Sequence, residues 1–156
     1  MEKGLPNTGV VTLQRKTGAV YDLLTGKKVP FSVKNGRTLI PVQFRTNGGK
    51  ILLLMDSPVE KVVLHLPGKA LRGNAVKYSV RIRTADGKEL KALHPLKVEI
   101  RNSKGVLTDD STFGALIGGR YEKCFTPPLN GEKGLWSITV RDLASGKSVT
   151  GKVAVE

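Results

Sequence analysis

LWSITVRDLASGKSV, residues 135–149, alternates apolar and polar side chains and then turns. Trp136, Ile138 and Val140 fall on one side, with Ser137, Thr139 and Arg141 on the other. A period of two over this length marks a strand with one buried and one wet face. Turn chemistry follows. The Asp142 carboxylate can accept a backbone N–H two residues on, and Gly146 supplies a positive φ at little cost. Lys147 then opens the return strand on its wet side, and Val149 re-enters the core. The same spelling, V-x-D-L-x-[S/T]-G-K-x-V, occurs again as VYDLLTGKKV, residues 20–29, with Asp22, Gly26, Lys27 and Val29 in the equivalent places. RTADGKEL (83–90) reaches a similar D-G-K end by a shorter route. Every constrained position has a structural task, so the pattern predicts a hairpin device used twice rather than a ligand motif.

The same period runs outward from this stretch. KYSVRIRT (77–84) sets Tyr78, Val80 and Ile82 against Lys77, Ser79, Arg81 and Arg83, and PLKVEIRN (95–102) sets Leu96, Val98 and Ile100 against Lys97, Glu99 and Arg101. SVTGKVAVE (148–156) alternates Val149, Val153 and Val155 with polar or small residues. Gly- and Asn-rich turns separate the runs, and no amphipathic stretch is long enough for a helix. An all-β chain follows, with an antiparallel immunoglobulin-like sandwich over residues 58–156. Its strands are expected at 61–66, 75–84, 95–102, an edge piece near 106–108, 119–126, 135–142 and 148–155. Residues 1–57 form a smaller β-domain, with strands expected at 10–16, 19–24, 29–33, 37–44 and 50–55 and turns that include NGGK (47–50). So short a segment makes a thin sandwich and is open to being incomplete. Pro58, in MDSPVE, places the boundary.

Composition limits the function. Lys and Arg number 26 against 13 Asp and Glu, a formal charge of +13, and aromatics make up only 5%. The charge is dispersed: residues 1–57 hold 9 basic and 3 acidic residues, and residues 58–156 hold 17 and 10. No basic block marks a nucleic-acid tail, so nucleic acid is not an expected partner. One cysteine, Cys124, excludes an intrachain disulfide. The start lacks an apolar signal core, and the longest apolar run, ILLLM (51–55), is far too short for a membrane span. An export signal, if one is used, is expected upstream of this chain.

VYDLLTGKKV, with NGRTLIPVQF and NGGKILLLM after it, resembles the closing strands of the C-terminal β-domain of glycoside hydrolases, over about residues 18–55. GLWSITVRDLASGKSVTGKVAVE (134–156) is similar to macroglobulin-type and other bacterial immunoglobulin-like modules. Gly134, Trp136, Ile138, Val140, Asp142, Ser145 and Gly146 carry that likeness, which extends weakly back to about residue 60. No bait region, thioester motif or catalytic domain accompanies them. Both resemblances imply accessory modules of a larger, exported bacterial protein, extracellular or periplasmic, whose partner is an upstream catalytic domain.

The residues nominate no catalytic group, no cofactor and no metal site. His65 reads as a surface histidine, and His94, before Pro95, has no recognisable Ser or Cys partner. Asp109 and Asp110 in LTDDST lack a calcium-loop spacing. Cys124 reads as a half-buried strand thiol, and GALIGGR (114–120) lacks the strand-to-helix turn of a phosphate cradle. Trp136 and Tyr78 share parity with core residues, which leaves Tyr21 and Tyr121 as the tyrosines available to stack on sugar. A competing class is a binding module for acidic polysaccharide or another polyanion. Its candidate residues are Lys77, Arg81 and Arg83 on one strand with Lys97 and Arg101 on the next, extended by Arg141 and Lys152 if their strands share that sheet.

Overall fold

The computed structural model describes residues 7–46 and 48–156, which form fourteen strands and no helix. Asn47, in the expected NGGK turn, lies outside the described residues. The chain divides into two compact units, Met1–Pro58 and Val59–Glu156.

The first unit holds strands β1 (Asn7–Leu13), β2 (Ala19–Asp22), β3 (Lys27–Lys28), β4 (Ser32–Lys34), β5 (Arg37–Phe44) and β6 (Leu52–Met55). They make two antiparallel sheets, β1-β5-β4 and β3-β2-β6. Alternation on β5 buries Thr38, Ile40 and Val42. Ile40 and Val42 meet Val20 of the other sheet, with Leu13, Val29, Phe31, Leu52 and Leu54 packed around them. The expected strand at 29–33 does not form as written. Pro30 has no N–H to give a ladder, and the chain breaks there between β3 and β4. All four residues of β2 are buried, Tyr21 among them.

The second unit holds β7 (Val59–His65), β8 (Lys69–Ala70), β9 (Val76–Thr84), β10 (His94–Arg101), β11 (Thr112–Leu116), β12 (Tyr121–Phe125), β13 (Gly134–Asp142) and β14 (Ser148–Val155). One sheet runs β11-β10-β13-β14-β8 and the other β12-β9-β7, all antiparallel but for the short β14–β8 contact. It is a β-sandwich. Leu96, Val98 and Ile100 of β10, Trp136, Ile138 and Val140 of β13, and Val80 and Ile82 of β9 are buried in its core. Each fully buried Ile or Val contributes about 1.5–3 kcal/mol of transfer free energy. The two sheets meet where Phe125 of β12 stacks on Trp136 of β13, centroids 6.1 Å apart. The Trp136 indole N–H donates to the Glu132 carbonyl at 2.8 Å, so its polar edge is satisfied.

The edge piece expected near 106–108 is only a single bridge, Arg101 to Leu107. The edge strand is instead β11, which runs into the glycine-rich stretch 114–120 and is not among the expected strands. Its Gly114 is required by packing: a methyl there would overlap the Tyr121 ring and lie 2.9 Å from its Cζ atom. Gly114→Ala should therefore cost about 1–3 kcal/mol, the range of overpacking, measured as a urea-midpoint shift by Trp136 fluorescence. Wild-type stability would mean that Tyr121 swings aside freely.

Candidate functional site

The two copies of the repeated pattern form the same turn. The Leu24 N–H donates to Asp22 Oδ1 at 3.0 Å, and the Ala144 N–H donates to Asp142 Oδ1 at 2.9 Å. The N–H groups of Gly26 and Gly146 then close on the Asp22 and Asp142 carbonyls at 2.8 and 2.9 Å. Both glycines take positive φ, 62° and 74°. Lys147 lies just before β14 rather than opening it, and its Nζ donates to the Glu60 carbonyl at 2.6 Å, at the irregularity where β7 joins β9.

The copies differ in what meets the carboxylate. Asp22 Oδ2 is met by Lys50 Nζ at 3.1 Å, a side chain that still reaches solvent. Asp142 Oδ1 is met by His94 Nε2 at 2.6 Å, with His94 1% and Asp142 0% exposed. An ionised carboxylate only accepts, so Nε2 carries the proton. The Ser145 N–H and hydroxyl both donate to Asp142 Oδ2. Burial pushes the Asp142 carboxyl up, but the hydrogen bonds from His94 and Ser145 outweigh it and hold the group below its ordinary 3.8. For Asp22 burial is likewise outweighed, by Lys50 and the Leu24 N–H.

A half-buried Ser with a buried His and Asp invites comparison with a hydrolytic triad. In a triad the imidazole stands between hydroxyl and carboxylate. Here the carboxylate stands in the middle, and Ser145 and His94 contact different oxygens of it. The cluster ties β10 to the β13–β14 hairpin. This role was readable from parity, because His94 shares the inward row of Leu96, Val98 and Ile100.

The candidate basic residues do not share one face. Lys77, Arg81 and Arg83 lie on β9 in the three-stranded sheet, whereas Lys97 and Arg101 lie on β10 in the five-stranded sheet. Alternation reports which side of a strand is wet, but not which sheet the strand joins. Arg141 and Lys152 do join the second group: Lys97 pairs with Arg141, Arg101 with Ser137, and Ser137 with Lys152. Several of these charges are engaged. Arg81 meets Glu89 at 2.7 Å, and Glu99 is held by Lys97 at 2.7 Å and by Arg101 at 3.6 Å. Lys97 also sits 5.8 Å from the centroid of the exposed Phe113 ring.

The remaining candidates fall as follows. Tyr21 and Tyr121 are buried, so neither offers a stacking face, and Tyr121 packs near Tyr78 at 6.3 Å between centroids. Cys124 is exposed rather than half-buried, because β12 is an edge strand and the thiol shares the outward row of Glu122. His65 is exposed on β7. In the Asp109–Asp110 turn, burial and then the Asp109 charge push the Asp110 carboxyl up, while Ser111 bonds the Ile100 backbone. Among the described residues no group of three His, Cys, Asp or Glu could hold a metal, and no helix is long and apolar enough to cross a membrane.

No family model and no curated protein matches the chain. Solved structures do resemble it. The CARDB domain of a Pyrococcus furiosus protein, in complex with di-metal ions, shows 16% identity and a TM-score of 0.43, covering 63% of this chain and 89% of that one. A β-glucosidase from Listeria innocua in complex with glucose shows 16% identity and a TM-score of 0.42, over 69% of this chain but 16% of its own length. β-Glucuronidase 2 from Bacteroides uniformis, covalently bound to cyclophellitol-6-carboxylate aziridine, shows 11% identity and a TM-score of 0.35, over 96% of this chain and 26% of the enzyme. Two of these three neighbours are thus glycoside hydrolases several times longer than the aligned region, and the third is a domain of similar size.

Proposed function

We propose that the chain is a non-catalytic β-region of a larger exported protein, such as a bacterial glycoside hydrolase, that packs against or positions a catalytic domain. One observation carries the reading. On the β1-β5-β4 sheet Ile40 and Thr38 are buried, but their cross-strand partners on the same face, Val11 and Val33, remain 37% and 44% exposed. The sheet is covered along its middle strand and open at both flanks. The open valine on each flank offers a partner surface an apolar contact on the same face. The chain should therefore raise Nile red emission, and Val11→Lys with Val33→Lys should bring it near the buffer level without loss of β-structure. Unchanged emission in the double variant would remove the support.

A second reading, a binding module for acidic polysaccharide, is favoured by the row of Lys97, Arg101, Arg141 and Lys152 on the five-stranded sheet. Neutral, uronic and sulfated glycans at low and high salt separate the two. Affinity for one acidic glycan that falls with salt and is lost on Arg141→Ala with Lys152→Ala would replace the first reading. Weak retention on every polyanion reflects net charge alone.

A further inference from the structure

On the outward face of the five-stranded sheet one cross-strand row joins an aromatic ring to two cations. Phe113 of β11 pairs with Lys97 of β10, and Lys97 pairs with Arg141 of β13. Residues directly opposite in an antiparallel ladder share a face. The three side chains therefore stand side by side, on the side away from buried Leu96, Val98 and Ile100. The contact between two of them agrees: Lys97 Nζ lies over the Phe113 ring, 5.8 Å from its centroid. At about 4.8 Å per strand, the Phe113 and Arg141 backbones are about 10 Å apart, with Lys97 between them.

Both ends of the row are open. Among the described residues Phe113 is the one exposed aromatic side chain, at 71%. Arg141 is exposed and, among the described residues, forms no ion pair. Lys97, in the middle, is held by Glu99 at 2.7 Å. One row along the same face, Glu99 pairs with Thr139 and Thr139 with Thr150, and the two threonine hydroxyls bond each other at 2.8 Å.

We propose that this row is a subsite for a hexuronate unit, a pyranose ring that bears one carboxylate. The C–H face of the ring lies on Phe113, and the carboxylate takes the planar fork of Arg141. Thr139 and Thr150 offer partners to the ring hydroxyls. Glu99 repels a second anionic group one row along, so the subsite suits one charge per ring rather than a densely charged chain. The proposal rests on the second reading above, polysaccharide binding, and adds to it a contact that recognises the ring.

The test is calorimetry on the full chain with tetragalacturonate, and with polyphosphate as an anion that has no ring. Phe113→Ala should weaken tetragalacturonate about 10-fold, within the range for rings stacked on aromatic side chains, and leave polyphosphate unchanged. Phe113→Trp should restore the affinity, and Trp136 emission should stay native in Phe113→Ala. Arg141→Ala should weaken tetragalacturonate about 10-fold at low salt, as loss of a charged hydrogen bond does. No binding of tetragalacturonate to the wild-type chain would overturn both the subsite and the polysaccharide reading. Binding that is lost on Arg141→Ala with Lys152→Ala but is indifferent to Phe113→Ala would overturn the subsite alone. An equal loss of polyphosphate in Phe113→Ala, or no effect of Arg141→Ala, would do the same.

Discussion

Gly18→Ala should unfold the 1–58 unit while the 59–156 unit stays native. A methyl at Gly18 would fall onto the Asp56 carbonyl, overlapping its oxygen and lying 2.7 Å from its carbon. The obstacle is backbone, not a side chain that can rotate away. It cannot retreat, because the Gly18 N–H donates to the Met55 carbonyl at 2.9 Å and Ala19 pairs with Met55 in the β2–β6 ladder. Overpacking against a fixed backbone reaches about 3 kcal/mol or more. A sandwich this small has little reserve to absorb it. Hydrogen exchange is the measurement. The Leu23 and Val29 amides, bonded to Ile51 and Val20, should lose protection. Trp136, the single tryptophan, lies in the other unit and should keep its native emission. Gly9→Ala is the control, since nothing lies within 4 Å of a methyl there. Wild-type protection in Gly18→Ala would refute the prediction.

Asp142→Ala should be the most damaging polar change in the 59–156 unit, at about 3–5 kcal/mol. It strands the His94 Nε2–H and the Ala144 N–H in a place water does not reach, and removes the acceptor of the half-buried Ser145 N–H. Asp22→Ala breaks the same turn but frees Lys50, 29% exposed, to solvate itself, and should cost about 1–2 kcal/mol. The ordering is checked by urea unfolding, and equal costs would show that the imidazole adds nothing. The pH dependence has a defined sign. The folded carboxyl titrates below its ordinary 3.8, so its stabilisation is complete above that pH and is lost as pH falls through the lower, folded value. Asp142→Asn should be less stable than wild type at pH 7, and the difference should shrink below pH 3.8.

Much of this architecture was written locally. Strands β9, β10, β13 and β14 follow their two-residue period, and both hairpins follow from one carboxylate and one glycine each. What escaped the sequence was long-range. Thr112–Leu116 lacks clean alternation because Gly114 answers to the Tyr121 ring rather than to its own strand. The division of β9 and β10 between sheets depends on which other strands each one pairs with, β7 and β12 for β9 and β11 and β13 for β10, which no local pattern encodes. That division separates Lys77, Arg81 and Arg83 from Lys97 and Arg101. Tyr21 and Tyr121 are inward for the same reason: burial on short strands is decided by what crosses over them.

The two aspartates also differ in how freely their surroundings can change. Beside Asp22, any long basic side chain that bends in from the wet side can serve in place of Lys50, and the turn tolerates drift. Beside Asp142 the partner must fill a closed space and present one proton at one angle, a demand that histidine meets and lysine does not. Identical spellings thus sit under unequal constraint: in this chain V-x-D-L-x-[S/T]-G-K-x-V specifies the hairpin, and the residue that reaches the aspartate from elsewhere decides how closed its surroundings are.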